Sequence, residues 1–146
     1  MDLKNVVVLA QEGTWLDITA PDGTVLFQFK MVNRDSDECS LSVAKNVEKN
    51  RSRKGKVNVK ASEEENKNTV IACIKSWRDP DQAGIDPITK LPDLDNLPEF
   101  IYLDGKELAC NYLNKKMILD TYGFIYRQAD AYIVDDTSFF KIQEPA

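Results

Sequence analysis

The stretch from Ser62 to Trp77, SEEENKNTVIACIKSW, constrains the fold more than any other part of the chain. Val70, Ile71, Ile74 and Trp77 recur at i, i+1, i+4 and i+7, which is one stripe of a 3.6-residue helix. The spacing predicts a helix over 62–77. Ser62 and Glu65 have capping-box spacing at its start, and Glu63, Glu64 and Glu65 suit the positive end of its dipole. Asp79-Pro80 supplies the stop. Each such side chain contributes roughly 1.5–3 kcal/mol when fully buried, so the rest of the chain is expected to pack on this stripe.

What packs there is read from alternation and turns. Lys4–Ala10 has the composition of a strand. Trp15–Ala20 and Thr24–Lys30 alternate in hydropathy, and Pro21-Asp22-Gly23 between them is turn chemistry. This predicts a β-hairpin with Leu26 on one face and Val25, Phe27 and Phe29 on the other, an apolar face that requires a helical layer. Asp35 with Glu38 opens a further helix carrying Cys39, Val43, Ala44 and Val47, which runs into a basic segment from Lys45 to Lys60 and ends near Ser52–Lys54, where Gly55 interrupts it. No aromatic residue interleaves those charges to stack on bases.

Arg78–Glu99 contains Pro80, Pro87, Pro92 and Pro98 and no sustained period, so it is read as a loop. Asp79–Gly84 superficially resembles the start of a calcium loop, but Lys90 stands where a bidentate glutamate is needed. Asp104-Gly105, flanked by Phe100–Leu103 and Lys106–Cys110, predicts a second hairpin with a type I′ turn. Asn111 is the N-cap of a helix carrying Leu113, Met117 and Ile118, broken at Gly123. Ile125, Ala129, Tyr132 and Ile133 give a last helix one apolar face, and Asp135-Asp136 marks its end. Phe139 and Phe140 either fold back onto the core or form an exposed apolar contact.

The expected architecture is α+β: an N-terminal antiparallel hairpin sheet packed against about four helices, with a second short hairpin near 100–110. One domain spans 1–146, divided into a hairpin region (1–34), two helices (35–78), a loop (79–99) and a hairpin with two helices (100–140).

Composition narrows the function. The chain has no histidine and carries a net charge of −5, with a pI near 4.8. Lacking histidine, it lacks the commonest general base, nucleophile activator and metal ligand. The acidity argues against an overall nucleic-acid or anionic-membrane binder. No apolar run approaches the roughly 18–20 residues that cross a bilayer, and the N-terminal segment is not expected to be a secretory signal. Cys39, Cys73 and Cys110 are widely spaced without a C-x-x-C pair, so neither a zinc site nor a disulfide framework is expected, and a reducing cytoplasm is. No phosphate-binding glycine motif and no nucleophile elbow occurs. No cofactor or metal is expected, and a non-enzymatic role is.

The order of these features resembles the small tail assembly proteins of long-tailed bacteriophages, including the tail assembly chaperones. The hairpin around Pro21-Asp22-Gly23 is similar to their early strand pair. Arg34-Asp35-Ser36, followed by a K/R-rich segment, is similar to the opening of their first helix. The apolar stretch closing at Trp77, the Asp104-Gly105 turn, and Asn111–Phe140 with Arg127, Gln128 and Ala131 continue the likeness. The loop 78–99 is longer than that pattern, and Asp135-Asp136 stands where a basic residue is the rule.

The resemblance implies a non-catalytic protein of the host cytoplasm that binds the helix-rich tape measure protein, with the tail tube subunit as second partner and self-association left open. It implies a partner-binding surface of Trp77, Ile125, Tyr132, Phe139 and Phe140, with Lys49, Arg51, Arg53 and Lys54 steering an acidic partner. Two other readings compete: an acidic phage inhibitor of a host defence enzyme, and a minor structural subunit of the virion.

Overall fold

The computed structural model describes residues 6–8, 13–34, 36, 37, 39, 59–82, 87–91, 93, 94, 97–135 and 139–142. Strands β1 (Val6–Val8), β2 (Thr14–Thr19) and β3 (Val25–Met31) come first, then helix α1 (Val59–Cys73) and strand β4 (Ile74–Arg78). A 3₁₀ turn at Pro80–Gln82 precedes β5 (Phe100–Leu103) and β6 (Lys106–Ala109), and then come α2 (Tyr112–Thr121), α3 (Gly123–Ile133) and β7 (Phe140–Ile142). The class is α+β, with a three-stranded antiparallel sheet in the order β2-β3-β4 and two-stranded pairs β5-β6 and β1-β7. Three α-helices lie among the described residues, not four; the helix expected after Asp35, with its basic end, falls outside them apart from Ser36, Asp37 and Cys39.

The expected N-terminal hairpin forms. The Gly23 amide donates to the Ala20 carbonyl at 2.9 Å and the Ala20 amide to Thr24 at 2.8 Å, with Gly23 at φ +91°. Asp22 Oδ1 accepts from the Thr24 amide at 2.9 Å, the local bond that makes Asp a turn residue. Phe27 and Phe29 point into the core. Val25, expected on that face, is 44% exposed, because pairing shifts by a bulge between Ile18 and Thr19.

The predicted helix over 62–77 requires correction at both ends. It begins upstream at Val59, so Ser62 lies inside it rather than at its start, and it stops at Cys73. Ile74–Arg78 is instead a strand that pairs with β3, placing Trp77 opposite Phe29 and Ser76 opposite Lys30. Helix passes to strand with no intervening residue, and the Val32 amide bonds the Cys73 carbonyl at 2.9 Å. The stripe is buried all the same: Val70, Ile71, Ile74 and Trp77 are at most 4% exposed. The open edge of β3 offers a full ladder of backbone hydrogen bonds, so Ile74 and Trp77 reach the core from a strand as well as they would from a helix.

Helices α1, α2 and α3 pack against one another, with α3 on β2 and β3. The sheet's inner face supplies Ile18, Phe27, Phe29, Met31 and Trp77; the helices add Val70, Ile71, Ile118, Leu119, Ile125, Ala129 and Ile133. Gln128 and Asn33 are among the side chains that stand in for backbone partners. Gln128 accepts from the Thr19 amide at 2.9 Å and donates to the Thr19 carbonyl at 2.8 Å, as a neighbouring strand would, and so ties α3 to β2. Buried Asn33 donates to the Ile133 carbonyl at 2.9 Å and the Arg34 amide bonds the same oxygen, closing the C-terminal end of α3.

Candidate functional site

The second hairpin fixes one wall of an apolar pocket. Asp104 and Gly105 have φ of +51° and +76°, the double left-handed geometry of the predicted type I′ turn. Trp77 Nε1 donates to the Leu108 carbonyl at 3.0 Å, which holds β6 to the end of the sheet. Ile101 is buried, while Tyr102 and Leu103 remain partly open.

The corner between α2 and α3 supplies the facing wall. Asn111 caps α2, its side chain accepting from the Asn114 amide at 2.9 Å. A single residue, Tyr122, separates the helices; its amide bonds the Ile118 carbonyl at 2.9 Å and its carbonyl accepts from Ile125 at 3.0 Å. The rings of Tyr122 and Phe124 meet edge to face at 6.1 Å.

Between these walls lies a cavity of about 120 Å³ lined by Leu26, Phe27, Tyr102, Leu103, Ile118, Tyr122, Phe124 and Ile125. That volume is close to the roughly 150 Å³ of an apolar cavity that admits benzene, hence to one bulky hydrocarbon side chain. The polar rim is occupied: the Tyr102 hydroxyl donates to Glu107 at 3.0 Å, and this bond, reinforced by the carboxylate charge, raises the phenol above its ordinary value. Earlier on α2, Leu113 is 75% and Met117 37% exposed. One helical turn apart, they form an apolar ridge on the surface.

The expected partner residues are dispersed. Trp77 and Phe139 are fully buried, and Ile125, 2% exposed, lines the pocket. Tyr132 is half-buried with its ring edge to face against Phe139 at 5.2 Å, and its hydroxyl bonds Thr14. Phe140 lies in β7 opposite Val8. The structure therefore brings Tyr132 to Phe139 and places Ile125 in the pocket, while Trp77 is committed to the core beneath the sheet. Of the two readings of Phe139, the one in which it folds back is the one observed. Lys49, Arg51, Arg53 and Lys54 lie outside the described residues. Leu26, Leu103 and Phe124 were not anticipated as site residues: each comes from a different element, and no short-range pattern joins them.

The thiols are not set up as nucleophiles. Cys39 and Cys73 are buried, and burial pushes the Cys110 thiol above its usual value. Burial also raises the Asp79 carboxyl, whose Oδ1 accepts from the Asp81 amide at 3.0 Å to close the 3₁₀ turn. Among the described residues no helix is long and apolar enough to cross a membrane, and no group of three acidic or cysteine side chains could hold a metal ion.

Comparison with protein-family models, curated proteins and solved structures finds no match to this chain.

Proposed function

We propose that this chain is a non-catalytic assembly protein of a long-tailed phage, a tail assembly chaperone that works in the host cytoplasm by covering apolar helical surface of the tape measure protein. The observation that carries the reading is the apolar pocket between β5 and the α2–α3 corner, sized for one side chain, on a helix whose earlier residues Leu113 and Met117 are exposed. An amphipathic helix is read through anchors at i, i+3, i+4 and i+7, and an apolar pocket with further exposed apolar residues on the same helix suits such a face. The likeness to tail assembly proteins supplies the client class. Chemistry of the chain itself agrees with binding: burial raises the Cys110 thiol above its usual value, and the chain has no histidine to activate a nucleophile.

The energetics also suit a chaperone, which must let go. One buried anchor contributes roughly 1.5–3 kcal/mol, well short of the roughly 8 kcal/mol of a micromolar complex. Met117 and Leu113 add to it on the ridge, and the resulting contact is weak enough to be displaced as the client assembles.

Leu103→Asp places a charge at the mouth of the pocket without touching the buried core. A tape measure fragment should co-purify with the native chain and not with this variant, provided circular dichroism shows the variant folded. Retained binding by a folded Leu103→Asp protein removes the pocket from the interface.

A further inference from the structure

The outer face of the three-stranded sheet carries a second, differently built groove. Register aligns Trp15, Lys30 and Ser76 in one row across the strands and Asp17, Gln28 and Arg78 in the next. The second row is locked by side chains: Gln28 donates to Asp17 at 2.6 Å, and Arg78 Nε donates to Gln28 at 2.7 Å. Arg78 Nη1 also reaches the Leu94 carbonyl at 3.1 Å, which pins the loop after β4 above the sheet. Held this way, the guanidinium lies 3.7 Å from the centre of the Trp15 ring, with the Lys30 ammonium 5.9 Å from it. The Lys30 stem runs past Gly13, where a Cβ would sit 3.3 Å from Lys30 Cγ and 3.0 Å from the Met31 carbonyl oxygen. Only a glycine gives the lysine that path.

The groove encloses about 400 Å³, within the range of roughly 300–1,000 Å³ for ligand clefts. Among the described residues, Lys30, Lys75 and Arg78 line it together with the Glu99 carboxylate, and Leu94 and Leu97 supply apolar contact from the loop. Among the described lining residues cations outnumber carboxylates, in a chain whose net charge is −5.

We propose that this groove binds an extended acidic peptide segment, independently of the pocket assigned above to the client helix. Successive side chains of an extended chain point to opposite sides. A segment alternating acidic and apolar residues can therefore present carboxylates to Lys30 and Lys75 while its other side meets Leu94 and Leu97. Arg78 holds the indole and adds charge; the two lysines select the ligand. A nucleic-acid base is the poorer fit, because the guanidinium already stacks on the indole that a base would need.

The test is a fluorescence titration of the full chain with the peptide Glu-Leu-Glu-Leu-Glu-Leu, with its Lys-Leu counterpart and a thymidine oligonucleotide in parallel. Trp15 should report binding, the signal falling sharply in Trp15→Phe, where only the fully buried Trp77 at the groove wall is left to respond. Affinity should fall as salt rises from about 50 to about 500 mM. Reversing both lysines, Lys30→Glu with Lys75→Glu, should weaken binding at least about tenfold with an unchanged thermal melt. Undiminished binding by that double variant, or tighter binding of the oligonucleotide or the lysine peptide, overturns the proposal. So does loss of the signal in Leu103→Asp, which would mean that the peptide enters the apolar pocket instead.

Discussion

Phe139→Ala separates a core role from a contact role for the residue on which the resemblance placed partner binding. The side chain is fully buried and meets Tyr132 edge to face at 5.2 Å. Truncating a buried phenylalanine costs about 3–5 kcal/mol, of which the aromatic pair accounts for roughly 0.5–1.5 kcal/mol. Against a typical total of about 5–15 kcal/mol, the variant keeps only part of its stability. At roughly 3–4 °C per kcal/mol for a chain of this length, the midpoint should fall by about 10–20 °C. Urea and thermal denaturation measure the loss, and a double-mutant cycle with Tyr132→Leu should return a coupling of about 0.5–1.5 kcal/mol. A loss under about 1 kcal/mol, the scale of surface substitutions, would refute the buried placement. It follows that any client binding lost with Phe139→Ala must first be normalised to the folded fraction.

Gln128→Leu leaves the Thr19 amide and carbonyl without their partner and should cost about 1–3 kcal/mol, read by urea denaturation. Asn111→Ala removes the cap of α2 and should cost about 1 kcal/mol. Burial opposes ionisation of Asp120, but the hydrogen bonds from Lys67 and Lys116, at 3.0 and 3.1 Å, prevail and hold its carboxyl below the ordinary value of 3.8. A lowered folded-state value contributes stability above the unfolded value that is lost as pH falls through the folded one. Asp120→Asn should therefore cost under about 1 kcal/mol at pH 7, these being partly exposed pairs, and the gap to the native chain should close below the lowered value.

Features set by neighbouring residues were legible in the sequence. Pro21-Asp22-Gly23 and Asp104-Gly105 dictate their turns through local backbone geometry, Asn111 caps through its own side chain, and the face of Ile125, Ala129 and Ile133 is buried as its period requires. What depends on distant partners was not legible. Ile74 and Trp77 satisfy a helical period, yet the unpaired edge of β3 recruits them as strand, a choice made by residues some fifty positions earlier. β7 pairs with β1 through three positions from opposite ends of the chain, too short a segment for alternation to reveal. Both candidate sites share this origin. Lys30, Lys75 and Arg78 become neighbours only through strand register, and Leu26, Leu103 and Phe124 only through the docking of the second hairpin on the helical corner.

We propose that the pocket between β5 and the α2–α3 corner receives the client. Backbone chemical-shift mapping of the labelled chain, titrated with a helical tape measure fragment, tests it most directly. The largest shifts should fall at Tyr102, Leu103, Tyr122 and Phe124, with smaller ones at Leu113 and Met117. Shifts that leave those residues unmoved while the fragment binds elsewhere would contradict it.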